Sequence, residues 1–225
     1  LTPLDSDALA APVEKAMDAG IPVIVIDSAV NTDKYTSFIA TDNVAGGRMA
    51  MERLIESIGG SGEVVVVNAL AGIPSNDARG QGAEEYAATV DGVTVLPQQH
   101  CLDQAEAMTA TENVIIGNPN LKGIFATFNR GALGAAQAIV SKGKAGEIKM
   151  VAFDADADEI KLLEDGTIDA LVVQQPYEMG KIGIEYAVKA LNGEEVPKTV
   201  APEVVIATKD NMNDEAIHKV LYPKG

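Results

Sequence analysis

The chain has 225 residues, 47% apolar and 22% charged, the balance of a globular protein able to bury a substantial core in one domain or two small ones. With 17 Lys and Arg against 33 Asp and Glu the net charge is -16, which argues against nucleic acid and anionic lipid as partners. No apolar run approaches the roughly 20 residues that span a bilayer, Cys101 has no second cysteine to pair with, and the opening "LTPLDSDALAAPVEKA" has no charged n-region or cleavage pattern of an export signal.

In chain order, Ser6 precedes a helical segment "DALAAPVEKAMDAG" that stops at Gly20, and "IPVIVID" (21–27) follows as a strand. "YTSFIATDN" (35–43) is a short strand arriving soon after. Asp42 then starts a helix through "NVAGGRMAMERLIESIGG", stopped at Gly59. "GEVVVVNAL" (62–70) is a strand, the stretch around Ala83 to Val90 a helix, and "VTVLPQQ" (93–99) another strand. Asp103 starts a helix through "QAEAMTATENVIIG". Strand 122–128 leads to helix 131–141, strand 148–154 to helix 155–164 ending at Gly166, and strand 168–175 to helix 177–192. "VPKTVAPEVVIAT" (196–208) is extended and punctuated by proline, and 210–225 is polar, either a short helix or a loose tail. Short runs, mostly β-branched, alternating with helices predict an α/β protein with buried parallel strands and helices on both faces.

Ligands of open parallel sheets bind beyond the carboxyl ends of the strands, so the residue after each apolar run is informative. Those residues are Asp27, Asn68, Phe128 with Asn129, Asp154, and Gln174 with Gln175. Arg79, in "SNDARGQG" and expected near a helix start, is the one cation placed to join them. Acids that accept, amides that do both and an arginine fork that donates in parallel suit a neutral polyhydroxylated ligand. Each residue alone has a plainer reading: an Asp after a strand caps a helix more often than it binds a ligand. Phe128 alone suits the core, Gln174 alone could cap a sheet end, and Arg79 alone suits a salt bridge. Their shared location favours the site.

The acidic stretch "KMVAFDADAD" (149–158) also fits a calcium loop at first sight, but an EF-hand starting at Asp154 requires glycine where Glu159 stands. Asp154 is therefore expected to reach a ligand, with Asp156, Asp158 and Glu159 in the first turn of the following helix. His100 and His218 show no zinc spacing or triad context, and "IGGSGE" and "ARGQGA" lack the P-loop lysine and the dinucleotide fingerprint. No enzyme, metal or cofactor is expected.

The segments "DSDALAAPVEKAMDAGIPVIVIDS", "SFIATDNVAGGRMA", "KGIFATFNRGALGAAQA", "VAFDADADEIKLLEDGTIDALVVQQPYEMG" and "LNGEEVPK" resemble, in order and spacing, the periplasmic sugar-binding proteins of bacterial ABC transporters, ribose-binding type. That resemblance implies two Rossmann-like lobes joined by three crossings, a sugar in the cleft between them, and closure by hinge bending. It implies Asp27, Arg79, Asp154 and Gln174 as sugar-hydroxyl contacts. Ser28 stands where the ribose binders have arginine, Leu102 where they have a ring-stacking phenylalanine, and Phe128 where they have asparagine, with Asn129 one place later as its substitute. Those departures leave a pentose, hexose or related polyol open. The expected lobes are 1–41 with 176–201, and 42–175 with 202–225. Two β-α units that precede the "DSDA" helix in the family, about 60 residues at roughly 30 per unit, have no counterpart here. The first lobe is therefore expected to be incomplete, with an open sheet edge, and the chain alone to bind sugar weakly. The implied partner is a membrane permease, and the implied location periplasmic, or lipid-anchored and extracellular in a Gram-positive. The implied state is a monomer unless another chain completes the first lobe. The alternative is the effector core of a LacI-type transcription repressor without its DNA-binding headpiece, distinguished by dimerisation.

Overall fold

The computed structural model describes residues 1–3 and 5–223. The chain divides into two compact units, residues 1–42 with 175–203 and residues 43–174 with 204–225, so that it passes from one to the other three times. The last two residues of the polar tail lie outside the described residues.

The smaller unit is a three-stranded parallel sheet of β1 (Ile24–Ile26), β2 (Ser37–Ile39) and β9 (Thr199–Val200), in the order β1-β2-β9. Two clusters fill its faces. Helix α1 (Ala10–Asp18) contributes Val13 to one, with Val25 and Val30; helix α7 (Pro176–Leu191) contributes Met179 to the other, with Ile24 and Ile39. On the outer edge of β1 the Leu1 amino group donates to Ile24 O at 2.9 Å, and Ile26 N donates to Leu1 O at 2.8 Å.

The larger unit carries seven strands: β3 (Gly62–Ala69), β4 (Val93–Val95), β5 (Gln99–Cys101), β6 (Leu121–Ala126), β7 (Lys149–Phe153), β8 (Ala170–Val173) and β10 (Val205–Ala207). Their order is β10-β8-β7-β6-β3-β4, with β5 also on β3; all pairs are parallel except β10 with β8. Both faces are covered, so the strands need no polar alternation. Val65, Val67, Ile124, Met150 and Leu171 face one core, shared with α4 (Gln104–Gly117), α5 (Asn129–Ser141), α6 (Ala157–Asp165) and α8 (Glu215–Leu221). Val64, Val66, Phe125, Val151 and Phe153 face the other, under α2 (Asn43–Ser57) and α3 (Pro74–Ala87). Each such side chain, fully buried, contributes roughly 1.5–3 kcal/mol.

Four elements depart from expectation. The strand expected at 93–99 is two strands, because Pro97 has no N–H for the ladder; β4 pairs with the start of β3 and β5 with its end. The extended stretch 196–208 likewise serves both sheets, β9 in one and β10 in the other, on either side of Pro202. Helix α6 starts at Ala157 with Asp156 as its N-cap, so Asp156 precedes the first turn. Helix α3 begins at Pro74, well before the expected 83, with proline at its first position, where the missing N–H costs nothing.

Gly80 and Gly82 lower the helix propensity of α3 and hide it from a sequence pattern. Gly82 is there for packing against α2: a Cβ on it would lie 2.0 Å from Val44 O, and one on Gly47 of α2 would lie 1.9 Å from Arg79 O, whereas a Cβ on Gly80 would lie 2.8 Å from the Asn68 amide. The two helices approach backbone to backbone. A contrasting glycine is Gly180 inside α7, where a Cβ would meet nothing within 4 Å. Gly82→Ala should therefore lower the stability by about 1–3 kcal/mol or more, and Gly180→Ala should raise it by about 0.5–1 kcal/mol. Urea-unfolding midpoints of the two variants check the opposite signs.

Candidate functional site

At the carboxyl end of β7 the backbone turns sharply. Asp154 has φ +85°, and Asp27, at the end of β1 in the smaller unit, has φ +70°; among the described residues they are the only non-glycine residues with positive φ. Aspartate tolerates the left-handed region better than most residues, but at a cost, and such outliers gather at functional sites. Both were expected from sequence to reach a ligand.

Asp154 is half-buried and meets two of the other expected residues. Gln174, just past β8, donates from Nε2 to Asp154 Oδ1 at 2.5 Å, and Arg79 Nη1 lies 3.9 Å from Oδ2. A carboxylate accepts at about four lone-pair positions, of which Gln174 uses one. Arg79 is not at a helix start, as the sequence suggested, but in the second turn of α3, and it is only 5% exposed. Its Nε donates to Asn43 Oδ1 at 2.9 Å and its Nη1 to Thr127 O at 2.8 Å, while the guanidinium carbon lies 3.8 Å from the centroid of the Phe153 ring. A buried cation with hydrogen bonds, a ring beneath it and a carboxylate nearby satisfies what burial of charge demands.

Asn68, near the end of β3, belongs to the same buried system: it accepts from Thr127 Oγ1 at 2.6 Å and donates to Gln98 Oε1 at 2.9 Å. In the smaller unit, Asp27 is exposed and accepts from Ser28 Oγ at 3.2 Å. Gln175 turns to Glu203 O.

The remaining expected residues have other surroundings. Phe128 is half-buried against the core and lies over Gly131, where a Cβ would be 2.5 Å from its ring. Asn129 donates to the Asp156 carboxylate. Leu102 is 57% exposed just ahead of Asp103, the N-cap of α4. Sequence reasoning missed Asn43, Asn76, Thr127 and Phe153. Thr127 carried a readable signal, as the one polar residue inside the run "GIFATF"; the other three looked like ordinary helix and strand residues.

Asp156 and Glu159 form a reciprocal capping box on α6, with Asp156 accepting from the N–H groups of Asp158 and Glu159, and Glu159 accepting from Asp156 N at 3.2 Å. Glu159 is fully buried, and that burial pushes its carboxyl up to about 8, against the pull of the Asp156 N–H and the Asn129 amide; the charges of Asp154 and Asp156 push further up.

This two-unit chain, with a parallel sheet in the smaller unit, a mostly parallel one in the larger and polar side chains at the strand ends, matches the model of the periplasmic binding protein domain over residues 1–195. The chain belongs to the periplasmic binding protein family. It is 32% identical over 209 residues to the ribose import binding protein of Bacillus subtilis, covering 93% of this chain and 68% of that relative. It is also 32% identical to the D-allose-binding periplasmic protein of Escherichia coli, over 89% of this chain and 68% of the relative. An ABC transporter solute binding protein of Agrobacterium vitis, solved with bound D-fucose, superposes with a TM-score of 0.90 at 36% identity, over 99% of this chain and 78% of that one. As a periplasmic binding protein, the chain thus spans about two thirds of the length of these curated relatives, which are binding proteins and not enzymes by name.

The buried carboxyl gives a pH signature. Glu159 keeps its proton in the folded protein up to about 8 and loses it near 4.5 when unfolded, so its contribution is complete below 4.5 and is lost as the pH rises through 8. In that window it lowers stability by up to about 1.4 kcal/mol per pH unit. Glu159→Gln, which keeps the capping box, should remove that slope and become more stable than the parent as the pH rises. Unfolding free energies at roughly pH 5.5 and 7.5 measure the difference.

Proposed function

We propose that this periplasmic binding protein binds a neutral monosaccharide or related polyol and delivers it to the permease of an ABC transporter. Asp154, Arg79 and Gln174 are its contacts in the larger unit, and Asp27 with Ser28 its contacts in the smaller one. Phe128, Asn129 and Leu102 shape the pocket and set which sugar is taken. The observation that carries this reading is the Asp154 group itself: a strained acid at a strand end, an arginine fork 3.9 Å away and an amide at 2.5 Å. Such a set accepts from hydroxyls and donates to them without surplus positive charge, which a phosphate or carboxylate ligand would require.

Energetics agree with a modest ligand. Hydrogen bonds to charged groups contribute roughly 1.5–3 kcal/mol each, so four or five support micromolar binding after the cost of association, and this chain alone, spanning about two thirds of its relatives' length, is expected to bind more weakly. Relatives named for ribose and D-allose, and a neighbour holding D-fucose, support the ligand class. On this reading the protein acts as a monomer, unless another chain completes the smaller unit, in the periplasm or at the outer surface of the membrane, takes no nucleic acid as partner and catalyses no reaction.

Calorimetric titration with pentoses, hexoses and polyols tests the proposal. Asp154→Ala should weaken binding of whichever sugar is taken by at least about tenfold, the equivalent of one lost charged hydrogen bond. Asp158→Ala, in the first turn of α6, should leave the affinity unchanged and cost only about 0.3–1 kcal/mol of stability. Equal loss in both variants would return the acidic cluster to a purely structural role.

A further inference from the structure

Arg79 cannot place its own guanidinium. The side chain is long and flexible, and the Asp154 carboxylate, at 3.9 Å, is too far to hold it by a hydrogen bond. Two of the bonds that hold it come from Asn43 on Nε and from the Thr127 carbonyl on Nη1. Thr127 lies just past the end of β6; its N–H still donates to Val67 O of β3 at 3.0 Å, and its carbonyl accepts from side chains.

That carbonyl is held by side chains. Thr127 is fully buried, and its hydroxyl donates to Asn68 Oδ1 at 2.6 Å and accepts from Asn76 Nδ2 at 3.2 Å; Asn76 also reaches Thr127 O at 3.4 Å. Asn68 is locked in turn, its Oδ1 accepting from Ala69 N at 2.9 Å and its Nδ2 donating to Gln98. Asn68, Asn76 and Thr127 are all nine-tenths buried or more. Buried polar groups are costly unless fully paired. Their pairing here converges on one carbonyl and, through it, on one guanidinium.

We propose that Thr127 is a positioning residue of the ligand site: its hydroxyl, clamped between Asn68 and Asn76, sets the carbonyl that orients Arg79 toward Asp154. The inference rests on the sugar-binding reading for its consequence, but not for its geometry. Thr127→Val preserves shape and carbonyl and removes the hydroxyl, which leaves Asn68 Oδ1 without that donor and Asn76 without that acceptor. Thr127→Ser restores both.

The test has a readout independent of sugar. The side-chain Nε–H resonance of Arg79, assigned by its absence in Arg79→Lys, reports the Asn43 and Thr127 restraints by nuclear magnetic resonance. Thr127→Val should shift or broaden it, and Thr127→Ser should leave it as in the parent. In parallel, Thr127→Val should weaken sugar binding about tenfold, Thr127→Ser less than about twofold, and in an Arg79→Lys background Thr127→Val should bring no further loss. If Thr127→Val does not fold, Asn76→Ala takes its place, with the same signs and a smaller effect. An unchanged Arg79 resonance in the variant overturns the positioning role, as do losses that simply multiply in the double variant. Absence of any sugar binding in the parent, weak binding included, overturns the functional reading, while the resonance still decides the role of Thr127.

Discussion

The site hangs on the close approach of α2 and α3. Gly47 sits against the carbonyl of Arg79, and Gly82 against that of Val44, so the backbone of Arg79 is pinned before its side chain is. The first residue of α2, Asn43, then bonds Arg79 Nε, and the last residue of β7, Phe153, lies under the guanidinium. Any side chain at position 47 or 82 would push the helices apart and carry the arginine away from Asp154. Glycines that appear to weaken a helix are the condition for a buried cation at that place.

Opposite the arginine, the chain accepts a different cost. Asp154 leaves β7 in the left-handed region, which few residues tolerate, and the next helix begins only after Asp156 has capped it. The turn aims the Asp154 carboxylate at Gln174 and Arg79, while the capping box of Asp156 and Glu159 anchors the helix that follows. Burial keeps Glu159 protonated near neutral pH and limits the negative charge in this acidic stretch. Acids that look equivalent in the sequence thus differ in backbone conformation and burial, the difference on which the proposed ligand role of Asp154 rests.

The layered α/β architecture was legible because strands buried on both faces have apolar centres, as "VVVV" (64–67) and "MVAF" (150–153) do, and because aspartates and glycines mark the helix ends. Helix α3 was half legible. Its glycines serve a neighbour far away in sequence, and no local pattern reports that partner. The split at Pro97 was visible as a proline but was not given its consequence, although a parallel ladder cannot pass it. Strand ends gave Asp154, Gln174 and Asn68 directly, since position at a sheet edge follows from the strands. The holders of Arg79 escaped because Asn43, Asn76 and Thr127 matter through hydrogen bonds across the fold, which spacing does not encode.

The proposed reading calls for a ligand without charge: Arg79 is already engaged by Asn43, Thr127 and the Phe153 ring, and the chain as a whole carries a net charge of -16. The most direct measurement is a thermal-shift comparison of neutral pentoses, hexoses and polyols with the phosphate esters and acid forms of the same sugars. At least one neutral compound should raise the unfolding temperature in a concentration-dependent way, and its phosphorylated or oxidised form should not. Stabilisation by the anionic forms alone would contradict a hydroxyl-binding site at Asp154.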